Sequence, residues 1–470
     1  MSILMSDKEN RLSKRLIYLY PFFISLFFLA AVPIAVVYTK EWDFLENLVR
    51  ILTSPSKLVT DYFALGGLGS TLFNAAVCGL ITNLIVYLSR AKANATILAG
   101  YMLVVAHCFY GLNFLNMWPP LLGILLYCLV TKKKIGENVH IALFSTALAP
   151  FVSELCFRYA IENYNSSVIG VNWVGVALSL VCGLAIGFVI PALLPGTSAM
   201  HNGYSLYKAG LATGILGIFL NAFMYNTLGV DKPVNTPILN EEYYSLPYGY
   251  RGFMNIFFII LFSVSFIVGF ILNKRSIRGY CDLLECTGHG IDFTDKFGMP
   301  VCMINIAIYG FAILAYLNLV FLIPSILPSL PAGVGFTGAT AGIVFAALTF
   351  AADGQHIKNV FPIAVGYMSL FVLVVLICTV AGFDIPWTLS TQAYLNGLAF
   401  ATGLCPIAGK YGFRYGVLAG FMSAVICTVT AEMHGGFVLY NGGFTAGLTA
   451  LVLIPILDFY KVKPIRESDV

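Results

Sequence analysis

Charge is scarce in this chain. Lysine and arginine number 26, aspartate and glutamate 22, and charged side chains make up 10% of 470 residues. An aqueous domain carries about a quarter, so this chain cannot clothe a large water-facing surface of its own. The net charge of +4 is no signature of nucleic-acid binding, because Lys and Arg in a membrane chain set topology. Catalytic and metal signatures are missing as well. There is no H-E-x-x-H and no G-x-S-x-G, and "CDLLECTGHGID" offers Cys281, Cys286 and His289 without the fourth spaced ligand of a structural zinc site. "GLCPIAGKY" (Gly403–Tyr411) has one residue too many for a phosphate loop and a Tyr after its Lys. Most of the eleven cysteines lie inside apolar runs, where a thiol behaves as a small hydrophobe, and no disulfide framework is read from them. Neither metal nor cofactor is expected, and the chain is not expected to be an enzyme.

What is present is apolar. Hydrophobic residues make up 59% of the chain and the mean hydropathy is +0.87. Apolar stretches of 18 or more residues, long enough to cross a bilayer, recur down the chain, and candidate spans fall near 16–38, 63–89, 97–115, 118–131, 139–157, 168–195, 209–226, 251–273, 300–324, 332–351, 360–382, 388–408, 412–431 and 436–459. Some are short or broken by glycine, which gives a count of about 10–14. The fold class is an all-α integral membrane protein, a polytopic bundle with an internal two-fold repeat and broken or re-entrant helices. The first run, Leu16–Tyr38, is too long for a signal core and reads as a retained anchor.

Basic residues orient the spans. Lys8, Arg11, Lys14 and Arg15, then Arg90 with Lys92, Lys132–Lys134, Lys274, Arg275 and Arg278, and Lys461, Lys463 and Arg466 all read as cytoplasmic, and so do both termini. The loop Asn226–Tyr250 reads as external. The chain divides into an anchor helix with an external segment (1–62), a first membrane repeat (63–226), a linking region (227–299), a second repeat (300–459) and a cytoplasmic tail (460–470).

The repeat is written in the sequence. "MHNGYSLYKAGLATG" (Met200–Gly214) and "MHGGFVLYNGGFTAG" (Met433–Gly447) share seven of fifteen positions without a gap. In the same order, "ALFSTALAPFVSEL" (Ala142–Leu155) resembles "LAFATGLCPIAGKY" (Leu398–Tyr411), and "ILAGYMLVV" (Ile97–Val105) resembles "IAVGYMSLF" (Ile363–Phe371). Weaker copies of the glycine phrase stand at "LFNAAVCGL" (Leu72–Leu80) and "GFTGATAGI" (Gly335–Ile343). The charge pattern sets 63–89 and 332–351 in one sense, and 209–226 and 436–459 in opposite senses. Met117–Lys134 has no clear partner and is the candidate extra crossing. Parallel or inverted duplication is therefore open at this point.

Small residues three or four apart let helix backbones approach, and a glycine break inside a membrane frees backbone N–H groups toward a cavity. Polar residues beside such breaks supply donors and acceptors at the same depth. The candidate solute site comprises His201, Asn202, Tyr204, Tyr207, His434, Tyr440 and Asn441, with Asn74 and Thr337 from the weaker copies. Lys208 is read as reaching for the interface, and Asp353, His356 and Lys358 as part of a short solvated loop.

The order of the whole chain resembles an uncharacterised family of bacterial multi-pass membrane proteins, a domain of unknown function. The resemblance implies a bacterial plasma-membrane location and no particular substrate. Over about ten residues per copy, "LYNGGFTAGL" (Leu439–Leu448) is similar to the paired signatures of urea channels, although Lys208 stands where one copy would carry Asn. The functional expectation is a transporter or channel for a small polar solute, with the bilayer as its surroundings, no nucleic-acid partner and self-association left open. Two alternatives remain: a membrane enzyme acting on lipid-linked substrates, with acid, base or metal groups clustered at one face, and a non-catalytic partner subunit.

Overall fold

The structure is a computed structural model describing residues 6–58, 60–159, 170–232, 250–327, 329–331 and 333–466. Among these residues the chain is helical, with no strand. In chain order the helices are α1 (Asp7–Thr39), α2 (Phe44–Thr53), α3 (Tyr62–Leu88), α4 (Ala95–His107), α5 (Trp118–Thr131), α6 (Ile135–Ser145), α7 (Ala149–Glu154), α8 (Trp173–Met200), α9 (Lys208–Asn221), α10 (Tyr250–Leu272), α11 (Tyr280–Leu283), α12 (Phe293–Lys296), α13 (Met299–Ile326), α14 (Gly338–Ala347), α15 (Ile357–Ala381), α16 (Gln392–Ala401), α17 (Cys405–Tyr411), α18 (Phe413–Met433) and α19 (Asn441–Phe459). Helix is the form that satisfies backbone polar groups within one segment in lipid. Among the described residues ten helical segments are long and apolar enough to cross a membrane, and four shorter or broken ones, α4, α5, α14 and α16–α17, run beside them. The outer surface of α1, α10 and α15 exposes Phe23, Ile34, Ile256, Ile267, Val372 and Val380, as lipid-facing helices do. The chain is a multi-pass membrane protein.

Burial sorts the helices into a rim and a centre. The most apolar window is 33% buried in α1, α8, α10 and α15, but 89% in Ile135–Tyr159, which contains α6 and α7, and 61% in α19. Short 3-10 turns, Thr146–Leu148 and Thr402–Leu404, interrupt the central segments α6–α7 and α16–α17. Each turn sits just before a proline, Pro150 or Pro406, at the start of the next helix. That ring has no N–H to continue the ladder.

Hydrogen bonds between helix ends define two faces. At the proximal face, Ser13 near the start of α1 meets Thr294 and Met299, the His356 ring meets the Cys286 carbonyl, and Arg466 of the tail pairs with Glu285. The first and last described residues, Ser6 and Arg466, lie at that face. At the distal face, Tyr250 meets Glu41, Asn113 meets Ile51 of α2, and the Leu58 amide meets the Gly436 carbonyl. From α3 to α9 the chain alternates six times starting from the distal face. From α13 to α19 it alternates six times starting from the proximal face. The duplication is inverted.

Matched contacts carry the symmetry through both halves. Asn74 on α3 donates to Cys108 O and Leu112 O, and Asn305 on α13 donates to Ala351 O and Gln355 O. Asn116 and Asn359 donate to the carbonyls of Gly111 and Gly354. The side chains of Asn94 and Thr337 cap α4 and α14 alike. Two bonds cross between halves: Asp61 accepts from Gly338 N–H at 2.7 Å, and Asp292 accepts from Ala95 N–H at 3.0 Å. α4 and α14 are short because the braced turns after them complete the crossing. Non-helical backbone at that depth is tolerated because it is buried in protein.

This register keeps two of the sequence pairings and corrects the third. Ala142–Leu155 and Leu398–Tyr411 each hold their half's 3-10 turn, so that pair stands. The Met200 and Met433 phrases each follow matching helices, α8 and α18. Ile97–Val105, however, lies on α4, whose counterpart is α14, whereas Ile363–Phe371 lies on α15. Leu72–Leu80 on α3 and Gly335–Ile343 at the start of α14 are likewise not counterparts. Met117–Lys134 is no extra crossing, because α5 pairs with α15. The misleading matches are runs of small and aliphatic residues, which helix–helix packing demands throughout a membrane bundle. Most of the long loop Asn226–Tyr250 lies outside the described residues.

Candidate functional site

The repeated phrases meet at the centre of the bundle. After α8 ends at the proximal face, residues 201–207 dip inward and α9 starts below the surface. After α18 ends at the distal face, residues 434–440 do the same and α19 starts. A Cβ on Gly210 would lie 2.6 Å from the Cα of Gly443, so two helices of opposite direction touch backbone to backbone near their first turns. The Tyr207 and Tyr440 rings, one residue before each helix, pack edge-on with centroids 5.5 Å apart. Each incoming loop is tied to the broken helix of the other half. Leu206 N–H donates to Gly403 O, and Leu439 N–H to Ala147 O, both at 2.9 Å.

A cavity of about 410 Å³ leads to this centre from the proximal face. Its mouth carries His289 and Asp292, its walls Lys208, Asp353 and His140, and its floor Phe144, Phe350 and Tyr440. The Lys208 side chain makes no hydrogen bond or ion pair among the described residues. Asp292 is engaged, accepting from Ala95 N–H, Thr294 N–H, the Thr294 hydroxyl and Asp295 N–H. Asp353, in the connector between α14 and α15, is different. Its carboxyl makes no hydrogen bond or ion pair among the described residues and shares the cavity with Lys208 and Asp292. Tyr440 is fully buried and its hydroxyl has no partner, while its counterpart Tyr207 donates to Ala346 O at 2.6 Å.

The distal side is shut at the matching places. The Leu58 amide bonds to the Gly436 carbonyl at 2.6 Å; at the matching proximal place the His289 ring meets the Asn202 carbonyl at 2.9 Å, beside Gly203, at the edge of the cavity. Asn441, the counterpart of Lys208, is held by the His434 ring at 2.9 Å. His107 and Tyr110 lie buried beneath this seal without hydrogen-bond partners.

Of the residues expected from sequence, Tyr440 lines the cavity and Tyr207 stacks behind it. His201 is buried with neither ring nitrogen bonded. The Asn202 carbonyl meets His289, and Tyr204 meets Tyr411 at the proximal face. His434 and Asn441 pair with each other on the distal side. Asn74 and Thr337 do not line the cavity: one braces the turn after α4 and the other caps α14. Sequence reading passed over Asp292 and His107, and placed Lys208 at the interface and Asp353 in a solvated loop. Their signal was the counterpart position, legible only once the register was known. Among the described residues no group of three or more His, Cys, Asp or Glu side chains is placed to hold a metal ion.

The fold and its central crossing define an inverted-repeat helical membrane protein. The model of the family described as "protein of unknown function (DUF1576)" matches the chain twice, over residues 40–226 and 272–459, and the chain belongs to that family. No curated protein and no solved structure matches it, so the urea-channel likeness rests on its ten residues alone.

Proposed function

We propose that the protein carries a small polar solute across the membrane by alternating access. The observation that supports this reading is the asymmetry of two symmetric paths. One cavity reaches the crossing of α9 and α19 from the proximal face, and among the described residues its distal counterparts His107, Tyr110 and Ala339 are wholly buried, the first two with unpartnered side chains. Exchanging the conformations of the two halves would close the first path and open the second, as in transporters built on inverted repeats. Tyr207 and Tyr440 then act as the common floor. The positive-inside pattern sets the proximal face, with both termini, on the cytoplasmic side. Purified protein in liposomes should take up urea or another small polar solute in a saturable way. Absence of saturable uptake for every small polar solute tried would remove this reading.

A second reading has one observation in its favour. Lys208, His140, His289, Asp292 and Asp353 gather at one face, as a membrane enzyme requires. Turnover of a lipid-linked substrate without solute uptake would favour it.

A further inference from the structure

We infer that the cavity's solute is a small monoanion of the carboxylate class, held by Lys208 and carried together with a proton on Asp353. This rests on the transporter reading and names its substrate class.

Three features that bind an anion converge on the cavity. Lys208 brings an ammonium group with no partner among the described residues. It is the first residue of α9, whose N-terminus adds a partial positive charge. From the floor, the Tyr440 hydroxyl, wholly buried and unpartnered, supplies a further donor. Such a set suits a carboxylate, which accepts several hydrogen bonds at once. A cavity of about 410 Å³ is in the range of small-ligand sites.

The acids present do not cancel this. Asp292 already accepts four hydrogen bonds within the protein. Asp353 has no hydrogen-bond partner for its carboxyl among the described residues and lies in one cavity with a second carboxylate, Asp292, an arrangement that favours a proton on it. The groups around it are Lys208 of α9, His140 of α6, His289 and Asp292 between α11 and α12, Cys302 of α13 and Cys405 of α17. With Asp353 protonated, the Lys208 charge is set against Asp292 alone, whose carboxylate is already taken up by four hydrogen bonds, and an anion is drawn to Lys208. With Asp353 ionised, the cavity carries two carboxylates against one ammonium group and repels an anion. Anion and proton therefore enter together from water at one face and leave together to water at the other, and no net charge crosses.

The test uses the full-length protein in liposomes with labelled pyruvate, and urea as a neutral control. Saturable pyruvate uptake is expected, falling as pH rises and Asp353 loses its proton. Lys208→Gln should reduce it about tenfold or more, and Lys208→Arg should largely retain it. Asp353→Asn should bind pyruvate with an affinity that no longer varies between pH 6 and 8. Thermal unfolding of each variant separates these effects from misfolding. Urea uptake unaffected by Lys208→Gln, with none of pyruvate, would overturn the anion assignment and leave the transporter reading standing. No uptake of either would overturn the anion assignment, and failure with other polar solutes too would remove both.

Discussion

Gly210 and Gly443 touch where α9 and α19 cross, with no room for a side chain between them: a Cβ on the first would lie 2.6 Å from the Cα of the second. The two first turns belong to opposite halves and approach from opposite faces. Their contact fixes the depth at which the repeated phrases meet.

A leucine at either glycine should force the helices apart. Overpacking of this kind costs about 1–3 kcal/mol, so Gly210→Leu and Gly443→Leu are expected to lower the melting temperature in detergent. Gly196→Ala, at a helical glycine with open space around it, should leave it unchanged or slightly raised.

The two tyrosines of the crossing should separate stability from function. Tyr207→Phe removes a buried hydrogen bond to Ala346 and should cost about 1 kcal/mol. Tyr440→Phe removes a hydroxyl with no protein partner and should leave stability within about 0.5 kcal/mol while reducing solute uptake. Thermal unfolding and liposome uptake on the same preparations decide the point.

Asn74 and Asn305 each satisfy two carbonyls in a turn at membrane depth. Alanine at either one leaves those carbonyls without a donor, at a cost of about 1–3 kcal/mol. Because the two positions are counterparts, similar losses of melting temperature are expected. A loss at only one of them would speak against equivalence of the braces.

Glu154 is buried against Arg158 and accepts from the Tyr225 hydroxyl at 2.8 Å. Arg158→Gln strands that carboxylate and should cost about 3–5 kcal/mol. Glu154→Gln with Arg158→Gln should recover part of the loss, as a double-mutant cycle on unfolding would reveal.

Sequence showed the class, the two halves and the phrases that cross, because hydropathy and a repeated glycine phrase are local signals. The broken central helices were also visible, through the matched small residues and prolines at Ala142–Leu155 and Leu398–Tyr411. The sense of the duplication was not. It depends on which short helix pairs with which, and α4 and α14 share caps and turn geometry more than residues. Asn94 stands opposite Thr337, and Asn113 opposite His356. For the same reason Lys208 and Asp353 looked peripheral. Their depth follows from loops that dip inward, and hydropathy does not report a polar dip.

Two-sided cysteine labelling tests alternating access most directly. Thr96 of α4 lines the proximal cavity, and its counterpart Ala339 of α14 is fully buried beneath the distal seal. In a Cys281→Ser background, which removes the exposed native thiol, Thr96→Cys should react with a membrane-impermeant reagent from the proximal face. Ala339→Cys should be protected at rest and become reactive from the distal face when transported solute drives turnover, as Thr96→Cys becomes protected. If Ala339→Cys stays unreactive while solute crosses the membrane, the two halves do not exchange conformations, and the central claim fails.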